Sequence, residues 1–377
     1  MHKSLDKLIL RTQIGGGVGR IDEFDSLRFF GALCVMIYHY CQNAPLIGQR
    51  FTGIFQFPFS LGGQCAYLFF ILSGFLMQEK YREKIGDYFN FMWNRMRFLV
   101  IPVFLTKLLD IVLIFILLKL YSTDLLNNYN ATMGLSPVNF SNIITDFQVI
   151  GVSWITGTFY NSVTWFVSIL FLCYTVFWIL KKIFISIEEP IWIFLMLTGY
   201  YLWFYSKFTN HIWIGIGLTF FSIGCLLNKI DRHMVSKECY ATLILLNTAT
   251  AILLIIMTFL GEMGTVFGST AITVGFFFFP LSVILAFRFR PISRLLRIPA
   301  LVSLGKCSMA VFLLHFIILR LLVWIDIAAG DVIEFNSLKV LCVYILTVIG
   351  ISLLWNYLIE NKLNHYIIEK LLGNYPG

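Results

Sequence analysis

Charged residues are scarce in this chain. Asp, Glu, Lys and Arg together make up 13% of the 377 residues, whereas hydrophobic residues make up 59%. Soluble proteins carry about 25% charged residues, so this composition excludes a soluble globular domain. The mean hydropathy of +0.82 leads to the same conclusion. We therefore predict an all-α polytopic membrane protein, whose length suits one helical bundle without a large soluble domain.

The sequence also lacks the motifs that mark several other classes. It has no Cys-x-x-Cys pair and no cluster with the spacing of metal ligands, so we predict no metal site. The glycines at 15–17 lack the Gly-Lys-Ser/Thr ending of a phosphate loop. The N-terminal 26 residues contain no apolar core or cleavage site typical of a signal peptide. The cysteines are interpreted as small core residues, with a Cys41–Cys65 disulfide as the alternative.

Ten apolar spans predict a bundle of about ten transmembrane helices. The spans lie at about 27–46, 62–79, 98–120, 164–181, 191–206, 210–228, 241–260, 267–287, 299–325 and 338–360. The predicted organisation is a cytoplasmic tail at 1–26, the membrane domain at 27–360 and a second cytoplasmic tail at 361–377.

Lysine and arginine are concentrated in every second connection between these spans. The first such connection carries five, and later ones carry Lys181 and Lys182, then Lys229, Arg232 and Lys237, then Arg288, Arg290, Arg294 and Arg297. The alternate connections are nearly free of them. Cytoplasmic loops are the positively charged ones, so both termini are predicted to be cytoplasmic. The net charge of +8 is therefore interpreted as loop bias and not as nucleic-acid binding.

The first candidate site is the group Asp25, Arg28 and His39. A helix that enters the membrane at Arg28 carries His39 about 16 Å deeper, because each residue adds about 1.5 Å. Ionisable residues at such depth are costly and usually functional. Arg28 suits an anionic ligand, Asp25 is close enough to orient it, and His39 can take a proton from a hydroxyl. The alternative is an anchoring arginine and a structural histidine.

Two further groups are candidates. His315 lies twelve residues after Ser303, near the start of the ninth span, which predicts a depth similar to that of His39. Arg95 and Arg97 precede Pro102 at an inside face, where paired arginines suit phosphates, although positive-inside charge is an equal alternative. Lys107 and Asp110, one turn apart, are expected to pair with each other. Ser73-Gly74 is expected to form a small-residue packing contact.

These segments, taken in order, resemble the integral-membrane acyltransferase 3 family. The resemblance lies in the opening block from Asp25 to His39, the block at 67–76, the arginines before Pro102, Thr164-Trp165-Phe166 and the late block from Leu304 to His315. One motif alone would be weak, but the ordered set covers nearly the whole chain. The arginines depart from the usual spacing before the proline, which leaves open whether Arg95 or Arg97 is the functional one.

The resemblance implies a membrane-bound O-acyltransferase of the bacterial inner membrane. It would move an acyl group, by default acetyl with succinyl as an alternative, from cytoplasmic acetyl-CoA or another acyl-CoA to a surface polysaccharide such as lipopolysaccharide or capsule. The acceptor would be a glycan or lipid-linked oligosaccharide. His39, with Arg28 and Asp25, would be catalytic, as general base or acyl carrier. Arg95 and Arg97 would hold the donor, and Ser73, His315 and Trp165 would line the substrate cavity.

A transporter or flippase of a glycan or acyl intermediate is the alternative from another class. Ten helices with buried ionisable residues permit it, but we find neither symmetry between the two halves nor paired Gly/Pro-broken spans. A structural scaffold fits two mid-membrane histidines poorly. Nothing in the sequence indicates the oligomeric state.

Overall fold

The structure is a computed structural model. It describes residues 21–43, 61–120, 161–184, 187–205, 209–233, 237–259 and 269–363, with four further positions at 127, 139 and 141–142. Within these ranges the protein is helical and has no strand, which confirms the predicted all-α class. Eight of the described helices are long and apolar enough to cross a membrane. Most of the two predicted tails, 1–20 and 364–377, lies outside the described residues.

In chain order the helices are α1 (Asp22–Asn43), α2 (Cys65–Lys80), α3 (Tyr88–Leu120), α4 (Trp165–Ile183), α5 (Glu188–Tyr205), α6 (Thr209–His233), α7 (Lys237–Phe259), α8 (Ser269–Ile272), α9 (Phe279–Arg288), α10 (Arg290–Leu296), α11 (Pro299–Lys306), α12 (Ser308–Ala329) and α13 (Leu338–Trp355). A π-helical segment, Thr273–Phe278, joins α8 and α9 into one span. Another, Asn356–Leu363, follows α13.

A helix occupies each of the ten predicted spans, but the ninth prediction is wrong in one respect. We predicted one helix over 299–325, whereas the helix is interrupted at Cys307, between α11 and α12. Gly305 is a poor helix former, and the Cys307 thiol bonds to the Leu304 carbonyl at 3.1 Å. The first and fifth spans, α1 and α5, are helical but are not among the eight apolar ones. The first turn of α1 is acidic.

Helix α2 lies at the centre of the bundle. In its span 83% of the residues are buried, against 17% in α7, 22% in α13 and 33% in α3. These three helices expose large apolar side chains such as Leu245, Ile252, Leu346 and Phe115. Apolar surface on this scale suits contact with lipid acyl chains and not with water.

Glycines bring α6 into close contact with both α2 and α5. A Cβ at Gly74 would lie 2.1 Å from the Phe221 carbonyl oxygen, and one at Gly224 would lie 2.1 Å from that of Ile71. On the other side of α6, a Cβ at Gly215 would lie 2.5 Å from the Trp203 nitrogen. Small residues permit such backbone contact between membrane helices. The predicted packing role of Gly74 is confirmed.

The cysteines form no disulfide among the described residues. Cys41 and Cys65 are both free, and the Cys65 thiol is hydrogen-bonded to that of Cys34. The alternative of a Cys41–Cys65 bridge is therefore wrong. Cys173, Cys225 and Cys307 are buried as predicted, whereas Cys239 and Cys342 are exposed on α7 and α13.

Ion pairs collect where α4, α6 and α9 end and α1 and α5 begin. Lys181 and Lys229 each bind Glu188 at 2.7 Å, Arg288 binds Asp231 at 2.7 Å, and Arg297 approaches Glu23 at 3.5 Å. We term this the basic end of the bundle. It is the end that the distribution of lysine and arginine predicts to face the cytoplasm.

Candidate active site

The first turns of α1 hold Asp25 and Arg28 at the basic end. Arg28 Nη1 donates to Asp25 Oδ1 at 3.0 Å, and the Asp25 side chain is buried while that of Arg28 is 30% exposed. Ser26 Oγ donates to the Leu296 carbonyl at 2.6 Å, which ties this turn to α10. Gly305 lies against the Asp25 backbone so closely that a Cβ would be 2.4 Å from its carbonyl carbon. The opening and late motifs therefore meet in space.

Arg95 lies among aromatic rings on the same side of the bundle. Its guanidinium carbon is 5.5 Å from the Tyr81 ring centroid, 5.8 Å from Phe91 and 5.9 Å from Tyr174. Its Nη2 donates to the Tyr81 hydroxyl at 2.8 Å, while its buried Nε has no hydrogen-bond partner in the described part of the chain. Arg97 lies on α3 two residues further on, and its side chain is outside what the structure describes.

Tyr174 connects these residues, and sequence reasoning missed it. Its hydroxyl is hydrogen-bonded to that of Ser73, and both Arg95 and Arg28 interact with it electrostatically. We term Arg28, Ser73, Arg95 and Tyr174 the arginine cluster. A tyrosine inside an apolar span carries no sequence signal that separates it from core aromatics. Ser73 belongs to this cluster through its described hydrogen bond, and not to the histidine pair described next.

His39 on α1 and His315 on α12 stack on each other. Their ring centroids are 5.4 Å apart and the ring planes differ by 28°. The ring of Phe316 meets His39 edge-on at 5.6 Å. The prediction that the two histidines lie at one level is confirmed by this contact. We term them the histidine pair.

Both histidine rings approach an oxygen atom with Nδ1, and an amide or carbonyl oxygen can only accept a hydrogen bond. His39 Nδ1 donates to Gln42 Oε1 at 3.0 Å, and His315 Nδ1 donates to the Val311 carbonyl at 3.2 Å. An imidazole that donates from Nδ1 carries its basic lone pair on Nε2. His315 Nε2 is buried without a hydrogen-bond partner among the described residues. Buried polar atoms are nearly always bonded, so this nitrogen is suited to a substrate group.

Hydrogen bonds from neighbouring side chains attach α12 to its surroundings and α1 to the connection that follows α12. The Tyr344 hydroxyl donates to the His315 carbonyl at 2.9 Å, and Asn161 Nδ2 donates to the Leu313 carbonyl at 3.0 Å. The Tyr40 hydroxyl donates at 2.8 Å to the carbonyl of Phe335, in the connection between α12 and α13. The histidine pair is therefore nearer to the end of the bundle opposite the basic end.

Trp165 is less directly connected to the histidines. It packs on Trp213 at 4.4 Å, and its neighbour Phe166 packs on Phe312, which in turn contacts the His315 ring. Within the described contacts, Trp165 therefore supports the wall around the pair without touching it.

The expected pairing of Lys107 with Asp110 is incomplete, because Asp110 also pairs with Arg320. Arg320 on α12 donates from Nη1 to Asp110 Oδ1 at 2.6 Å, and both side chains are buried. Lys107 adds an electrostatic contribution at Asp110. The Arg320 guanidinium lies 5.6 Å from the Phe316 ring, so this buried ion pair adjoins the aromatic wall of the histidine pair.

Together, these features define a polytopic membrane protein whose interior carries a histidine pair and whose basic end carries an arginine cluster. A family model described as an acyltransferase domain, that of the acyltransferase 3 family, matches residues 21–356. The chain belongs to this family and is a membrane acyltransferase, as the resemblance of its motifs indicated. No curated protein and no solved structure matches it.

Proposed function

We propose that this acyltransferase moves an acyl group, by default acetyl, from acyl-CoA to a hydroxyl of a surface or lipid-linked polysaccharide in the bacterial inner membrane. The observation that carries the proposal is the stacked histidine pair, in which the buried Nε2 of His315 has no hydrogen-bond partner among the residues that the structure describes. A buried imidazole nitrogen that can accept a hydrogen bond suits a reaction that begins with removal of a proton from a hydroxyl.

The donor is proposed to enter at the basic end. Acyl-CoA carries several negative charges on its phosphates, and arginine binds phosphate through a planar fork of donors. Arg28 and Arg95, with Arg97 as the third candidate, would hold the diphosphate. The rise along α1 from Arg28 to His39 is about 16 Å, which the extended arm of the donor would have to span.

The proposed chemistry uses the Nε2 lone pair of His39. It takes the proton from the acceptor hydroxyl while the oxygen attacks the thioester carbonyl carbon. The carbon–sulfur bond then breaks, and the departing thiolate recovers the proton from the imidazolium. His315 Nε2 would accept a hydrogen bond from the acceptor and orient it. In the alternative, His39 itself attacks the thioester and carries the acyl group to the acceptor.

The test is mass spectrometry of surface glycans from cells that lack the gene, complemented with the wild type or with His39→Ala. Membrane levels of both proteins are measured in parallel. We expect a base-labile acyl mass that disappears on deletion, returns with the wild type and stays absent with His39→Ala. Unchanged acylation in the deletion strain, together with reduced glycan export, would overturn the proposal in favour of a transporter.

A second measurement separates the two roles of His39. Purified protein is mixed with acyl-labelled donor in the absence of acceptor and then denatured. Label that remains on the protein and is lost in His39→Ala indicates an acyl carrier. Unlabelled protein that nevertheless transfers the label once acceptor is added indicates a general base.

A further inference from the structure

A cavity of about 410 Å³ opens at the basic end of the bundle. Its wall consists of residues 81–85, in the connection between α2 and α3, together with Lys181, Lys182 and Glu188 from the region where α4 ends and α5 begins. None of the motifs that indicated the family includes these residues.

The wall of this cavity carries an excess of positive charge. Four of its residues are cationic, namely Arg82, Lys84, Lys181 and Lys182, against the two carboxylates of Glu83 and Glu188. Glu188 is already compensated, because Lys181 and Lys229 both bind it at 2.7 Å. Exposed Arg82, Lys84 and Lys182 then face the single carboxylate of Glu83. Such a wall suits a ligand with more than one negative charge.

Contacts between side chains lead from the cavity to the arginine cluster. Tyr81 lines the cavity, and its hydroxyl accepts the hydrogen bond from Arg95 at 2.8 Å. Arg95 packs on Tyr174, which is hydrogen-bonded to Ser73. The cavity therefore adjoins the arginine cluster, and the histidine pair lies further along α1 from Arg28, which belongs to that cluster.

We propose that this cavity binds the phosphorylated nucleotide end of the acyl-CoA donor, an inference that rests on the proposed function. The order of groups in the donor matches the order of sites. Its 3′-phosphate and nucleotide would occupy the cavity, its diphosphate would reach Arg95, and its thioester arm would extend towards His39. Lys84, in the connection between α2 and α3, and Lys182, in the last turn of α4, hold the 3′-phosphate.

The test compares CoA with dephospho-CoA, which lacks only the 3′-phosphate. The full-length protein is placed in nanodiscs of zwitterionic lipid, and the binding of both nucleotides is measured for the wild type and for the double variant Lys84→Gln/Lys182→Gln. Arg294→Gln removes an exposed charge from the same end without touching the cavity and serves as the control. The measurement is repeated with anionic lipid, whose headgroups carry the same phosphate chemistry.

We expect the double variant to bind CoA at least tenfold more weakly, since two charge-assisted contacts are lost, and to bind dephospho-CoA as the wild type does. The Arg294→Gln variant should bind both CoA and dephospho-CoA with the affinity of the wild type. Equal CoA affinity in the wild type and double variant would overturn the inference while leaving the proposed function intact. If the two substitutions change only the extent to which anionic lipid alters CoA binding, the cavity is a lipid site and the inference fails. If the wild type binds no CoA in either lipid, the proposed donor fails as well.

Discussion

Gly305→Ala is the sharpest test of the contact that joins the two motifs. A Cβ at this position would lie 2.4 Å from the Asp25 carbonyl carbon, 2.5 Å from its oxygen and 2.8 Å from its Cβ. Ordinary contact begins at 3.4 Å, so α11 and α1 must separate by about 1 Å. Two of the three atoms are backbone, so no side-chain rotation relieves the clash.

Both stability and rate should fall. Overpacking of this kind costs about 1–3 kcal/mol of unfolding free energy. The displacement acts on the turn that carries the Asp25–Arg28 pair, and a misplacement of about 1 Å can reduce a rate roughly a hundredfold. Thermal unfolding in detergent reports the first effect. The initial rate of acyl transfer, normalised to protein in the membrane, reports the second.

Gly350→Ala is the matched control, because a Cβ there would meet nothing within 4 Å. The same replacement in α13 should leave the rate at the wild-type level and should not lower the stability, since alanine is the better helix former. If Gly305→Ala behaves like Gly350→Ala, the contact with Asp25 has no energetic importance. If stability falls while the rate is retained, α11 moves alone, and the coupling to Arg28 argued above is incorrect.

Three further predictions concern other side chains. Arg95→Lys keeps the charge but loses the planar stack on aromatic rings. The KM for acyl-CoA, measured by steady-state kinetics, should therefore rise about tenfold, while the amount of protein in the membrane stays normal. Asp110→Asn leaves Arg320 without its buried carboxylate and should cost about 3–5 kcal/mol, whereas adding Arg320→Met should recover much of the lost thermal stability. Glu188 precedes the predicted fifth span, at 191–206. Burial raises the pKa of its carboxyl group, but hydrogen bonds from two lysines outweigh burial and hold the pKa below its usual 4.5. Its ionised form therefore stabilises the protein above pH 4.5, so the difference in Tm between wild type and Glu188→Gln should shrink as the pH falls below that value.

The sequence predicted the helices and the histidine pair for a simple physical reason. Apolar runs of sufficient length mark the spans, and counting residues from the basic end brings His39 and His315 to one level. The break at Cys307 was missed because the apolar run continues through it, whereas the bond from the Cys307 thiol to the Leu304 carbonyl and the close contact of Gly305 with Asp25 are visible only in the structure.

Partners that lie far apart in the chain could not be predicted. Asp110 and Arg320 are separated by 210 positions, and Lys107, one turn from Asp110, was the obvious local choice. Tyr174 and Tyr81 lie in or beside apolar runs, where an aromatic residue looks like part of the core. Their roles around Arg95 depend on the packing of three helices, which periodicity does not specify.

The glycine contacts on both sides of α6 have a mechanical consequence. Backbones that touch at Gly74, Gly224 and Gly215 cannot slide without collision, so α2, α5 and α6 should behave as one stiff block. Any widening of the bundle to admit a bulky sugar should then fall on the less buried helices α3, α7 and α13. The thickness and fluidity of the bilayer should therefore influence turnover.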